Sequence, residues 1–270
     1  IERLKKRILD NQQFMSRNGW CGIFLENHDQ ARCLNRYLEK ADRGYHSASA
    51  LATLYFFLYG TPYIYEGQEI GMVNAVWNSV DELADTRAKI TWKERLEQGE
   101  DEKGLLEYFN HWGRDNARTP MQWNDGKNAG FTDGKPWLKV QDGYREVNVE
   151  RQREDPGSLL SYYKKLIALR RDEALADIMG NGGFYPMPEA GQGIIAYRRA
   201  SNGKAILVIV NLLNRENALN RENLTEAHPD GKTIDELFSE GILLNNYMGI
   251  EINSKKLVLR PYQALVIMEH

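Results

Sequence analysis

Apolar and polar positions alternate along this chain in blocks that change period twice. Ile1, Leu4, Ile8 and Met15 recur at helical spacing among Lys5, Lys6, Arg7 and Asp10, so the chain opens in a helix that ends at Asn18-Gly19. Trp20 to Leu25 is a short apolar run with aromatics, predicted as a buried strand. It gives way abruptly to Glu26-Asn27-His28-Asp29-Gln30. Gly44 to Tyr59 predicts a second helix, almost free of charge and therefore packed on more than one side. Gly60-Thr61-Pro62 stops it, Pro62 to Tyr65 predicts another strand, and Glu66-Gly67-Gln68-Glu69 follows as a polar turn.

Helix, strand, polar loop, helix, strand, polar loop is the order of a parallel α/β sheet with crossovers. In such folds ligands are met by the loops beyond the carboxyl ends of strands, where Asn27-His28-Asp29 and Glu66 both stand. From Trp77 to Gly157 the chain is polar and turn-rich, with one predicted helix near Ile90–Gln98. Trp112, Trp123 and Trp137 argue that this stretch is an ordered loop over a site. Asp155-Pro156 predicts an N-cap and first turn for a helix over Ser158–Arg171. After about Leu175 the period falls to that of strands: Gly193–Arg198, Ala205–Asn211, Lys256–Leu259 and Ala264–Met268. The expected domains are thus 1–175, α/β, and 176–270, antiparallel β.

Composition narrows the class. The 270 residues are 42% hydrophobic and 27% charged, apolar enough for a core. A net charge of −3 offers no general attraction to nucleic acid or anionic membrane. The longest strongly apolar stretch, Ala50 to Leu58, is far shorter than the ~20 residues of a membrane span. Cys21 and Cys33 lack disulfide-scaffold or metal-ligand spacing and are expected as buried, reduced thiols. The opening helix is too charged for a signal peptide, and a start without Met in mid-helix reads as the interior of a longer chain.

Three constellations carry candidate chemistry. Asn27-His28-Asp29 fits metal binding, proton transfer or hydrogen bonding to a polyhydroxylated ligand; the competing structural reading is an N-cap Asp beside a packed His. Glu66 and Glu69 fit an acid pair or a capping turn. Arg114-Asp115-Asn116 and Arg118 are dense in planar donors, though such runs are commonly surface ion pairs.

Their order along the chain is more specific. Phe24-Leu25-Glu26-Asn27-His28-Asp29, then Thr61-Pro62-Tyr63-Ile64-Tyr65-Glu66-Gly67-Gln68-Glu69-Ile70-Gly71-Met72, then Gly113-Arg114-Asp115-Asn116-Ala117-Arg118-Thr119-Pro120-Met121-Gln122-Trp123 resembles the α-amylase superfamily of glycoside hydrolases. Within it the match is to the oligo-1,6-glucosidase and α-glucosidase branch, which also holds trehalose-6-phosphate hydrolases and sucrose isomerases. The resemblance implies the C-terminal part of a (β/α)₈ TIM barrel followed by an antiparallel β-sandwich domain. It implies a retaining enzyme with two bond-breaking carboxyl groups and a third carboxylate that stabilises the transition state. Asp29 matches that third carboxylate, His28 the neighbouring histidine that hydrogen-bonds the same glucose, and Arg114 an arginine that fixes the non-reducing end.

The implied substrate is an α-linked gluco-oligosaccharide, with no cofactor and no metal. Family habit and free cysteines imply the cytoplasm. Ala31 stands where many relatives carry Pro but leaves Arg32, and Thr86-Arg87-Ala88 replaces a segment that often holds a sugar-contacting glutamate. Stretches matching the family's nucleophile and acid/base are absent from this sequence, and a full barrel takes about 250 residues. The remaining partner would be the other half of its own barrel. A different class of relative, non-catalytic and associated with amino-acid transporters, carries a membrane helix and usually an eroded Asn-His-Asp motif. This chain keeps Asn27, His28 and Asp29 and presents no such helix.

Overall fold

A computed structural model describes residues 1–220, 241–252 and 256–269. The helices are α1 (Glu2–Asn18), α2 (Cys33–Tyr37), α3 (Tyr45–Phe56), α4 (Thr86–Glu97), α5 (Glu102–Trp112), α6 (Val149–Arg153), α7 (Leu159–Arg170) and α8 (Glu173–Gly180). The strands are β1 (Gly22–Ile23), β2 (Thr61–Pro62), β3 (Gly183–Pro186), β4 (Ile194–Ser201), β5 (Lys204–Asn211), β6 (Asn217–Asn220), β7 (Ile242–Asn245), β8 (Glu251–Ile252), β9 (Lys256–Leu259) and β10 (Ala264–Glu269). The chain divides into two units, one of residues 1–23, 44–63 and 163–270, the other of residues 24–43 and 64–162.

In the first unit β1 and β2 pair in parallel, Gly22 opposite Thr61 and Ile23 opposite Pro62, with α3 in the crossover between them. Parallel pairing is as expected; the lengths are not. Trp20–Leu25 contributes only Gly22 and Ile23 to the ladder, and Pro62–Tyr65 only Pro62, with Thr61 before it, because among the described residues each strand finds one partner, the other. Trp20 and Phe24 are instead about half exposed, and the Trp20 indole N–H donates to Thr61 Oγ1 at 2.8 Å. Gly60 makes the close pairing possible. Its φ is +134°, and a Cβ there would stand 2.3 Å from the Cys21 carbonyl oxygen, which accepts the Thr61 N–H.

Two further expectations are corrected here. The buried face of α1 is Lys5, Leu9 and Gln12, while Ile1 is exposed and Leu4, Ile8 and Met15 are half-buried. Polar groups win that face because they have fixed partners: Lys5 Nζ donates to Gly191 O at 2.8 Å, and Gln12 Oε1 accepts the Tyr59 N–H at 2.6 Å. Cys21 is half-buried rather than buried; Cys33 is buried as expected, and both thiols are free.

The C-terminal strands form two antiparallel sheets, one ordered β3-β4-β5-β10-β7 and one ordered β6-β9-β8. Alternate residues Ile194, Ala196, Leu207, Ile209, Leu265 and Ile267 share a core with Leu219, Leu257 and Leu259 of the smaller sheet. The opposite set, among them Ile206, Val208, Val210 and Val266, is also buried, and α3 packs on β5 and β10. Coverage on both faces explains why β5 reads as an unbroken apolar run.

α3 is buried from Ser47 to Phe56. Carbonyls in its last turn and just beyond it are met by long side chains: Tyr197 Oη donates to Leu54 O at 2.8 Å, Arg170 to Phe56 O and Gly60 O, and Arg199 to Phe57 O and Leu58 O. At the other end, the His46 ring stacks on Tyr247 with centroids 3.7 Å apart, and Asn246 binds His46 O, Ser49 Oγ and Tyr262 O. Burial holds the His46 imidazole below its ordinary pKa; the Arg260 cation adds to this, against an opposing backbone hydrogen bond at Asn246. Because the folded state disfavours the proton, the stability contributed by the neutral ring is complete above the unfolded value near 6.5 and is lost as pH falls from there through the lowered folded value. Urea midpoints at pH 7.5 and 5.5 should therefore fall further for the wild type than for His46→Gln; equal losses would refute the assignment.

The second unit holds the long loops. Trp77, Leu83, Ala88, Trp92, Leu105, Phe109 and Leu138 form its main core. The expected helix near Ile90–Gln98 is α4, starting earlier at an Asp85 N-cap whose Oδ1 accepts the Arg87 N–H. α5 was not anticipated. Asp101 caps it, and Leu105 and Phe109 bury its inner face. α7 begins at Leu159, not at Asp155-Pro156, because Asp155 Oδ1 takes the Gly157 N–H and Ser158 Oγ accepts from Ser161 N instead.

Candidate active site

The turn after β1 is built on a buried ion pair. Glu26 precedes Asn27-His28-Asp29 and Arg32 follows it, and their side chains meet at 3.1 Å with essentially no exposure. Glu26 Oε1 also accepts the Cys33 N–H at the start of α2, and the Arg32 N–H donates to Asn74 Oδ1 at 3.0 Å. Arg32 Nη1 reaches the Glu66 carbonyl, so the loops after β1 and β2 are tied together by one side chain. Burial raises the Cys33 thiol well above its ordinary range, with the Glu26 carboxylate adding to the effect. Both ends of the turn being locked, its middle is displayed: Asn27 Oδ1 accepts the Asp29 N–H, and the His28 and Asp29 side chains are 71% and 51% exposed.

Asp29 is the meeting point of three cations or potential cations. Arg114 Nη1 lies 3.1 Å and Arg118 Nη2 2.9 Å from Asp29 Oδ1, while His28 Nε2 stands 3.4 Å from Oδ2. Arg118 Nε donates to the His28 carbonyl at 2.7 Å. Arg114 also grips Asp85 in a two-pronged fork, Nε and Nη2 each at 2.8 Å. Burial alone would raise the Asp85 carboxyl; the hydrogen bonds from Arg114 and the Arg87 N–H outweigh it and hold the group below its ordinary pKa. The same fork raises Arg114.

The structure brings Asp29, His28 and Arg114 together. It adds Asp85, and Arg118 of the donor-rich run, to which sequence reasoning gave no separate role. Arg118 lay in a quoted motif, and Asp85 carried only the signal of an N-cap. Glu66 and Glu69 do not act as a matched pair. The Glu66 side chain is exposed, whereas Glu69 is half-buried, its Oε2 without a hydrogen-bond partner among the described residues. Burial raises Glu69 despite hydrogen bonds from its own and the Gly67 N–H. Gly67 turns the chain here with φ +85°, and a Cβ would meet Met72 Sδ at 2.3 Å. Among the described residues no group of three His, Cys, Asp or Glu could hold a metal ion, and no helix is long and apolar enough to cross a membrane.

A carboxylate half open to solvent, with one oxygen saturated by two guanidinium groups, is suited to accept hydrogen bonds from a neutral polyhydroxylated ligand. Residues 1–178 match the model for the alpha amylase catalytic domain, and the chain belongs to that family. It is 38% identical over 267 residues to an oligo-1,6-glucosidase of Parageobacillus thermoglucosidasius, covering 97% of this chain and 45% of that protein. It is also 38% identical over 201 residues to a trehalose-6-phosphate hydrolase of Escherichia coli, covering 74% of this chain and 36% of that one. The crystal structure of Bacillus licheniformis trehalose-6-phosphate hydrolase superposes with a TM-score of 0.85 at 34% identity, over 99% of this chain and 46% of the other. The chain spans less than half the length of these relatives.

Proposed function

We propose that this chain is the C-terminal part of a retaining α-glucosidase that removes glucose from the non-reducing end of short α-linked oligosaccharides. Residues 1–175 would complete a (β/α)₈ barrel and residues 176–270 form its β-sandwich domain. Asp29 is the transition-state-stabilising carboxylate, and His28 and Arg114 hold the glucose unit. The nucleophile and acid/base come from a segment outside this chain. The observation that carries the reading is the convergence of Arg114, Arg118 and His28 on one half-exposed carboxylate in this motif context. As oxocarbenium character develops, the sugar hydroxyls become more acidic, so their hydrogen bonds to a fixed carboxylate strengthen. Such a group binds the transition state better than the ground state.

Several of the curated relatives are oligo-1,6-glucosidases, which favours α-1,6 linkages. The equal identity to a trehalose-6-phosphate hydrolase supports a phosphorylated disaccharide as the second reading. The test is nitrophenol release from p-nitrophenyl α-glucoside by the chain alone and mixed with a segment bearing the family's other two carboxylates. No turnover alone and turnover on mixing is expected. Turnover by the chain alone would mean that a carboxylate within it is the nucleophile.

A further inference from the structure

We propose that Asp115, which touches no ligand-facing surface, is the positioning residue that holds both arginines on Asp29. The inference rests on the reading of Asp29 as the sugar-facing carboxylate, but its geometry can be tested apart from that reading. Asp115 is 1% exposed and lies between the two arginines in the turn Arg114–Ala117. Its Oδ2 accepts two backbone N–H groups, from Ala84 at 2.8 Å and Asp85 at 2.9 Å. Those bonds fix the start of α4 and with it the Asp85 side chain, which grips Arg114 in its fork.

The other oxygen serves the other arm. Asp115 Oδ1 is buried, has no hydrogen-bond partner among the described residues, and faces Arg118 Nη1 at 3.7 Å. A buried carboxylate oxygen without a hydrogen bond is costly unless a charge compensates it, and here the compensating charge is the guanidinium whose remaining nitrogens bind Asp29 Oδ1 and His28 O. The turn cannot swing to relax the pair. Asn116 is fully buried, accepts from the Trp77 indole and donates to the Phe109 and Asn110 carbonyls. One carboxylate therefore roots two arms, Oδ2 through Asp85 to Arg114 and Oδ1 directly to Arg118, and both arms close on the same oxygen of Asp29.

Asparagine at this position separates the arms. Its amide oxygen can still accept from Ala84 and Asp85, but its NH₂ would face Arg118 donor to donor. Side-chain Nε–H signals of Arg114 and Arg118 in the ¹⁵N-labelled 270-residue chain read this directly. In Asp115→Asn the Arg118 Nε–H should exchange with solvent at least about tenfold faster while the Arg114 signal holds, a pattern that also reports a folded variant. In Asp115→Ala both should be lost. If Asp115→Asn does not fold, Asp115→Ser, which keeps a hydroxyl acceptor, supplies the same comparison.

In the enzyme assembled with its other segment, Asp115→Asn should lower kcat per folded site by about 10- to 100-fold, the size expected for a small misplacement of a reacting group. A merely structural role would lower the folded fraction and leave that kcat unchanged. An Arg118 signal indifferent to Asp115→Asn would overturn the inference. Absence of turnover in the wild type with the expected signal changes would overturn the glucosidase reading and leave the positioning intact.

Discussion

Arg199→Ala should lower the unfolding free energy of this chain by about 4 kcal/mol and its thermal midpoint by roughly 10 °C. Arg199 has no exposure and no carboxylate at hydrogen-bond distance among the described residues. Its guanidinium is instead surrounded by carbonyl oxygens: Phe57 and Leu58 beyond the end of α3, Ile178 and Met179 in the last turn of α8, and Gly182 and Gly183 after it. Those at the helix ends are acceptors with few donors of their own, although Ile178 O also takes the Gly182 N–H, and helix ends carry the negative end of the helix dipole. One planar fork reaches all six carbonyls by sharing its five N–H groups among them, which a lysine could not do.

Burial lowers the Arg199 pKa to about 10, with Arg170 adding to the effect and Tyr197 opposing it. The group stays charged at neutral pH. Truncation would leave several buried carbonyls without donors, each costing about 1–3 kcal/mol before relaxation. Calorimetry of the wild type, Arg199→Ala and Arg199→Lys would check this, with Lys recovering only part of the loss. A midpoint within 2 °C of wild type for Arg199→Ala would contradict the account.

Arg199 also marks where sequence reasoning stops. Strand β4 was legible from its apolar run, yet nothing local in Ile195-Ala196-Tyr197-Arg198-Arg199 says that Arg199 lies inside, among carbonyls 142 residues away at Phe57. Tyrosines of the same C-terminal stretch are engaged in the same non-local way: Tyr197 donates to Leu54 O, Tyr247 stacks on His46, and Tyr262 is buried. The same limit holds at the candidate site. Asn27-His28-Asp29 stood out because three polar residues broke an apolar run. Arg114 stood out only through motif order, since 85 residues separate it from Asp29. Asp85 and Asp115 act through backbone N–H groups and fork geometry, which leave no periodic signature. Helix α5 has no clear local signature, since Gly99 precedes it and Gly104 sits in its first turn, where the Gly104 N–H donates to the Asp101 cap.

The largest expected effect on activity belongs to Asp29. Its Oδ1 is occupied by Arg114 and Arg118, which leaves Oδ2, near His28 Nε2, as the oxygen able to gain most when sugar hydroxyls acidify. Asparagine keeps the shape but removes the charge, and its NH₂ would either face the arginines or lose the acceptor offered to the sugar. On the proposed role the loss should appear in kcat/KM and be carried mainly on kcat, as for any interaction that strengthens in the transition state. By analogy with removal of one preorganised transition-state contact, about 10³-fold is expected. Since Asp29 is half exposed, its replacement should leave the thermal midpoint nearly unchanged, which separates this variant from Arg199→Ala.

The most direct measurement is therefore kcat/KM for p-nitrophenyl α-glucoside with the chain assembled with its complementary segment, comparing wild type and Asp29→Asn at equal folded concentration. The account predicts turnover by the wild type and a loss of about 10³-fold in the variant. Equal turnover by the two would contradict the assignment of Asp29 as the carboxylate that stabilises the transition state.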